Sequence, residues 1–188
     1  RVAPYLRLPE PSRPLSNVVE SRSSDWGYLV EKGRVLIAEK LFVPYSFYTL
    51  AEHGESGAGR QPAPTVLVLH ERGVAGISKQ SAWMTALAAD GLNVMAIDVC
   101  GVGETRLQSQ GEDSEGYEGL LLGAEAQWAR RALNVGLSLL GLRVFSVLRT
   151  LEYLRTRWEA QADNLSIAGV GRGALWGLYA AALDRGVA

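Results

Sequence analysis

Apolar and polar positions along this chain alternate or cluster in ways that predict most of its elements. Residues 27–32 (GYLVEK) and 34–43 (RVLIAEKLFV) alternate apolar with polar, which predicts an antiparallel strand pair at a sheet edge, joined near Gly33. Val66 to Leu69 is a wholly apolar run ending at His70, and Leu92 to Ile97, apolar but for Asn93, is another strand-like run ending at Asp98. Runs so short and so apolar predict strands buried on both faces. Between them, Lys79 to Asp90 carries Trp83, Met84, Leu87 and Ala88 at helical spacing and stops at Gly91. Together the three segments predict a right-handed βαβ unit of a parallel sheet.

Further along, Leu120 to Ser138 predicts one helix. Leu142 to Trp158 predicts another, with Val144, Val147, Leu148, Leu151, Leu154 and Trp158 on one face. Asp163 and Asn164 turn the chain into Leu165 to Ala168, a further buried strand. It leads through Gly169, Gly171 and Gly173 into an apolar segment that predicts a packed helix ending near Leu183. The rest is connection. Residues 1–25, with prolines at 4, 9, 11 and 14, predict an extended leader rather than core, and residues 26–188 form the domain. His53 to Pro64 reads as a surface loop and Glu71 to Ser78 as a glycine-containing one. Residues 99–118 form a polar connection long enough to carry function. The fold class is three-layer α/β, a mostly parallel sheet with antiparallel edge strands at its N-terminal side. The chain stops where a following strand would begin, so its C-terminus is expected to fall short of a complete fold.

Composition narrows the partners. A length of 188 residues suits one domain, and 47% hydrophobic with 21% charged residues is a globular balance. A net charge of −1 without a basic block argues against nucleic acid and against an anionic membrane surface. The most apolar stretch, Ala132 to Leu148, is interrupted by Asn134 and Arg143, short of the roughly 20 apolar residues that span a bilayer. A single cysteine, Cys100, excludes an internal disulfide and a cysteine-built zinc site. No signal-peptide pattern is read, and localisation stays open.

Candidate chemistry concentrates at Gly169-Val170-Gly171-Arg172-Gly173-Ala174. A strand, a tight turn and a helix aim backbone N–H groups and the positive helix end at one point, which suits an anion or a developing oxyanion. Two motifs share this shape. One is the nucleophile elbow G-x-S-x-G, here with Gly171 at the nucleophile position. The other is the dinucleotide fingerprint G-x-G-x-x-A, met by Gly169, Gly171 and Ala174, which needs an acid about 20 residues further on. That position lies beyond the chain.

The isolated residues read as structural. His70 is expected as a hydrogen-bonded loop anchor, His53 as solvated and Cys100 as a small half-buried side chain. Glu112, Asp113, Glu115 and Glu118 match no calcium-loop spacing, so they form a solvated acidic loop and no metal is expected. Trp83, Trp158 and Trp176 fall in helical segments, where core packing accounts for them better than stacking on sugars.

VLVLHERGVAGI (Val66 to Ile77), LAADGLNVMAIDVCGVGET (Leu87 to Thr105) and the segment from Leu142 to Asp184, in this order, resemble the α/β-hydrolase superfamily, nearest its dienelactone hydrolases and acetyl xylan esterases. The resemblance covers roughly residues 30 to 188. It implies a carboxylic ester hydrolase that works by acyl transfer on a small ester or acylated carbohydrate, without a cofactor. It also implies two oxyanion donors: the backbone N–H of Arg172 and one from the loop at Glu71 or Arg72. The departure is as clear as the likeness. The family needs a serine or cysteine at the elbow, and position 171 is glycine. The family's acid and histidine follow the elbow, yet no histidine follows Gly171, and Asp184 comes too early for the acid. Two other readings stay open: a non-catalytic α/β module that binds a ligand or partner through the same cleft, and a dinucleotide-binding domain.

Overall fold

The structure, a computed structural model, describes residues 3–10, 15–25, 27–50, 62–77, 81–107 and 123–187. The described residues form one sheet of six strands: β1 (Ser16–Asp25), β2 (Tyr28–Ala38), β3 (Leu41–Leu50), β4 (Ala63–His70), β5 (Asn93–Ile97) and β6 (Ala160–Val170). Their spatial order is β1-β2-β3-β5-β4-β6. β5, β4 and β6 run parallel, while β1, β2 and β3 form an antiparallel edge joined to β5. The helices are α1 (Ala3–Leu6), α2 (Val74–Ile77), α3 (Ser81–Ala89), α4 (Ala124–Asn134), α5 (Leu139–Leu154) and α6 (Arg172–Leu183).

Three layers follow from the alternation of side chains along the inner strands. Leu67 and Leu69 of β4 enter one core with Val144, Val147, Leu151 and Leu154 of α5 and Trp176 and Ala180 of α6. Val66 and Val68 enter the opposite core with Ile77 of α2 and Met84 of α3. Both faces of β4 are therefore covered, which is why its sequence is an unbroken apolar run.

Several boundaries differ from the sequence reading, each for a physical reason. Gly33 is no turn: β2 runs through it, and the chain reverses at Glu39–Lys40. A Cβ at Gly33 would meet the Val18 carbonyl oxygen at 2.3 Å, so the glycine marks close approach of the neighbouring strand β1. Within the stretch read as a leader, residues 16–25 are β1 itself. Every residue of β1 is exposed, so no apolar rhythm betrays it. Leu6 is buried, and its carbonyl accepts the Ser138 hydroxyl at 2.6 Å. Ser138 then caps α5 by accepting the Gly141 amide at 2.8 Å, so this helix begins before Leu142 and α4 ends at Asn134. At the other end, the amides of Thr156 and Arg157 bond three residues back to Tyr153 and Leu154, which closes α5 tightly. Trp158 consequently lies past the helix and is 53% exposed, not on its buried face. Asp163 and Asn164 belong to β6, which starts at Ala160. Val187 pairs in parallel with Leu165. His53, Trp26, residues 108–118 and residues 120–122 lie outside the described residues.

Candidate functional site

The C-terminal ends of the parallel strands gather the residues singled out by sequence. β6 enters a sharp corner at Gly171, whose φ of 58° and ψ of −132° suit glycine and strain any other residue. α6 begins at the next residue. The corner is tight: a Cβ at Gly169 would meet Ala174 Cα at 2.3 Å, and one at Gly173 would meet the Leu69 carbonyl oxygen at 2.2 Å. The strand–corner–helix arrangement expected for residues 165–183 is thus present, with no side chain at its apex.

Glu71, one residue past the end of β4, reaches this apex. A Cβ built on Gly171 falls 2.4 Å from Glu71 Oε2 and 2.6 Å from its carboxyl carbon. The same oxygen accepts the Arg172 backbone N–H at 3.4 Å, a long contact at an exposed position. A carboxylate here answers the partial positive charge of the α6 N-terminus. The second predicted donor behaves differently. The Arg72 amide donates to His70 Nδ1 at 3.0 Å, so it serves the loop and not the cleft. His70 is buried, and Gly76 of α2 packs directly against its ring, which makes it the loop anchor expected of it.

Asp98 holds the two loops above the cleft in register. Buried at the end of β5, it accepts the Val74 amide at 2.7 Å and the Glu104 amide at 2.9 Å. Burial raises its carboxyl above the ordinary range, outweighing the two backbone N–H groups that favour the charged form. Side chains at Gly73 or Gly103 would collide with that carboxylate, so the loop sequences follow from its position.

The Arg172 side chain turns away from the apex. Its guanidinium pairs with Glu125 of α4 at 2.6 Å, Glu125 pairs with Arg143 of α5 at 2.8 Å, and Arg143 donates to the Cys100 carbonyl at 3.1 Å. Arg143 also lies 5.0 Å over the Trp176 ring. Burial alone would raise the Glu125 pKa, but hydrogen bonds from Arg143 and Arg172 hold it below the usual carboxylate range. This chain of charges fixes the start of α6 against α4 and α5. Sequence reading took Arg143 only as a break in an apolar stretch, although a cation on a buried helix face signals a partner. Cys100 is buried, and desolvation pushes its thiol up to about 11, which suits packing and not attack. Among the described residues no group of three or more His, Cys, Asp or Glu side chains is placed to hold a metal ion.

No protein-family model matches the chain. A provisionally named hydrolase, YtaP, of Bacillus subtilis (strain 168) is 27% identical over 135 residues, 65% of this chain and 40% of that protein. Among solved structures, a provisionally named acetyl xylan esterase from Bacteroides fragilis superposes with a TM-score of 0.73 at 18% identity, covering 97% of this chain and 48% of that one. An acetyl xylan esterase from Paenibacillus sp. R4 gives 0.62 at 19% identity, covering 93% and 52%. The chain thus has the α/β-hydrolase-like fold of these esterases. It spans about half the length of each of these solved structures and less than half of the curated relative.

Proposed function

We propose that this chain is an esterase-type unit, of the acetyl xylan esterase or dienelactone hydrolase kind, that recognises a small ester or acylated carbohydrate without cleaving it at its own elbow. The pairing of Gly171 with Glu71 carries this reading. Acyl transfer requires a hydroxyl or thiol at the apex, activated by a base. Gly171 supplies neither, and the Glu71 carboxylate lies in the space a nucleophile would fill. A tetrahedral oxyanion would form beside that carboxylate, and two like charges about 4 Å apart near a protein surface repel by about 4 kcal/mol. The Arg172 amide remains the donor for a bound carbonyl when Glu71 swings aside, and the Glu71 amide is the loop's candidate for the second. The carboxylate itself suits a ligand hydroxyl, which an acylated sugar carries. The same carboxylate weighs against a dinucleotide, whose pyrophosphate would need the helix N-terminus that Glu71 occupies.

The test uses the full protein with p-nitrophenyl acetate and a fluorophosphonate probe, the probe's attachment site being mapped by mass spectrometry. The expected result is no label within residues 3–187, together with a rise in Tm on adding an acetylated xylo-oligosaccharide that exceeds the rise given by its deacetylated form, and none on adding NAD. A label mapped to this chain would overturn the reading, and a rise with NAD alone would favour the dinucleotide alternative.

A further inference from the structure

At the opposite end of the sheet, where β6 begins, the chain folds around a second cleft of about 520 Å³. Its walls include Arg22 of β1, Glu31 of β2, Phe47 of β3 and the segment Arg157, Trp158 and Glu159 that leads into β6. The Ala63 amide, at the start of β4, donates to the Glu159 carbonyl at 3.0 Å, whereas Glu71 follows the end of β4. The eight residues of β4 separate the two clefts by roughly 25 Å.

The charges on this wall cancel. Glu31 is only 8% exposed, yet it accepts from Arg22 at 2.9 Å, from Arg157 at 2.8 Å and from the Tyr45 hydroxyl at 2.8 Å. Arg157 also grips both oxygens of Glu159, at 2.6 and 3.0 Å, and lies 5.3 Å over the Phe47 ring. Two cations meet two anions, so among the described residues of this wall an ionic ligand finds no unanswered counter-charge. Desolvation makes such a cluster a weak source of stability. Glu31 spends its acceptor sites inside the cluster, on Arg22 twice, on Arg157 and on Tyr45. What faces a ligand is therefore the exposed Arg22 guanidinium as donor and the Glu159 carboxylate as acceptor, both held in place by the cluster and both able to meet hydroxyl groups. Ser23, Ser24 and Thr49 add hydroxyl-bearing residues to the lining beside the apolar Leu29 and Val30, and the indole of Trp158 sits half-exposed among them. The volume falls within the roughly 300–1,000 Å³ of small-ligand sites.

We propose that this cleft binds an uncharged, polyhydroxylated ligand, a short carbohydrate chain, with a sugar face against Trp158 and hydroxyls on the Arg22 guanidinium and the Glu159 carboxylate. It is a site separate from the elbow and does not depend on what the elbow does. Calorimetric titration of the full protein with xylotriose, cellotriose and charged trigalacturonate tests it. At least one uncharged trisaccharide is expected to bind, and Trp158→Ala to weaken it about tenfold, the scale of one aromatic contact. Thr49→Val, a milder change on the same wall, should weaken it about threefold. Unaltered circular dichroism would show that both variants fold. Absence of binding by both uncharged sugars at about 10 mM, tighter binding of trigalacturonate, or affinity untouched by both substitutions would overturn the proposal.

Discussion

The carboxylate of Glu71 stands where a side chain on residue 171 would begin, 2.4 Å from the position of its Cβ, and accepts the Arg172 amide. The N-terminus of α6 therefore holds an anion supplied by the chain itself. Glu71→Ala removes that anion and leaves the Arg172 N–H facing an open cleft. Acetate added to this variant is expected to raise Tm by about 2 °C through binding to the folded state. The unsubstituted protein should show no such rise at matched ionic strength. Equal shifts in both, read by scanning fluorimetry, would count against an occupied helix end.

Asp98 links the cleft to acid. Its carboxyl is raised by burial, so the folded state keeps the proton to higher pH than the unfolded chain. The Asp98 contribution to stability is then greatest below the ordinary value of 3.8 and is lost as pH rises through the raised one. Asp98→Asn should abolish that part of the slope in urea midpoints followed across the acidic range. Identical pH slopes for the two proteins would contradict this.

Glu125 behaves in the opposite sense. Its pKa is depressed by Arg143 and Arg172, against the effect of burial, so its contribution is present above the ordinary 4.5 and fades as pH falls through the lower folded value. Glu125 and Arg172 are half-exposed, and screening keeps that pair small. The Arg143 guanidinium is only 7% exposed, and it loses an acceptor when Glu125 goes. Glu125→Gln should cost about 1 kcal/mol near pH 7, and the cost should shrink on going to pH 3. A deficit of the same size at both pH values would show that these charges are not its source.

Burial of Cys100, with its thiol pushed up to about 11, predicts slow chemistry. Iodoacetamide at pH 8 should leave the folded protein unmodified over a period in which the urea-unfolded chain reacts fully. Rapid modification of the folded protein, read by mass spectrometry, would place the thiol at an accessible surface.

How much of this was legible in the sequence depended on how far each signal travels. β4 and β5 were readable because burial on both faces leaves short apolar runs, and the corner at Gly171 because three glycines crowd a strand against a helix. β1 was not readable, since an exposed edge strand imposes no apolar rhythm. Gly33 announced a constraint without saying which, and only the neighbouring Val18 carbonyl distinguishes close approach from a turn. Trp158 continued a helical pattern past the point where backbone bonds to the third residue back close the helix. The Glu71 contact with Arg172 joins residues 101 positions apart, and Glu125 meets Arg172 across 47. No local pattern encodes either.

The most direct measurement is a stability cycle over Gly171→Ala, Glu71→Ala and the double variant, by urea denaturation. Gly171→Ala should cost about 1–3 kcal/mol from its backbone conformation, plus the contact with Glu71. In the Glu71→Ala background that cost should shrink by about 0.5 kcal/mol or more. An unchanged cost in both backgrounds would mean that the carboxylate does not lie over the corner, and the account of a filled, non-hydrolytic elbow would fail.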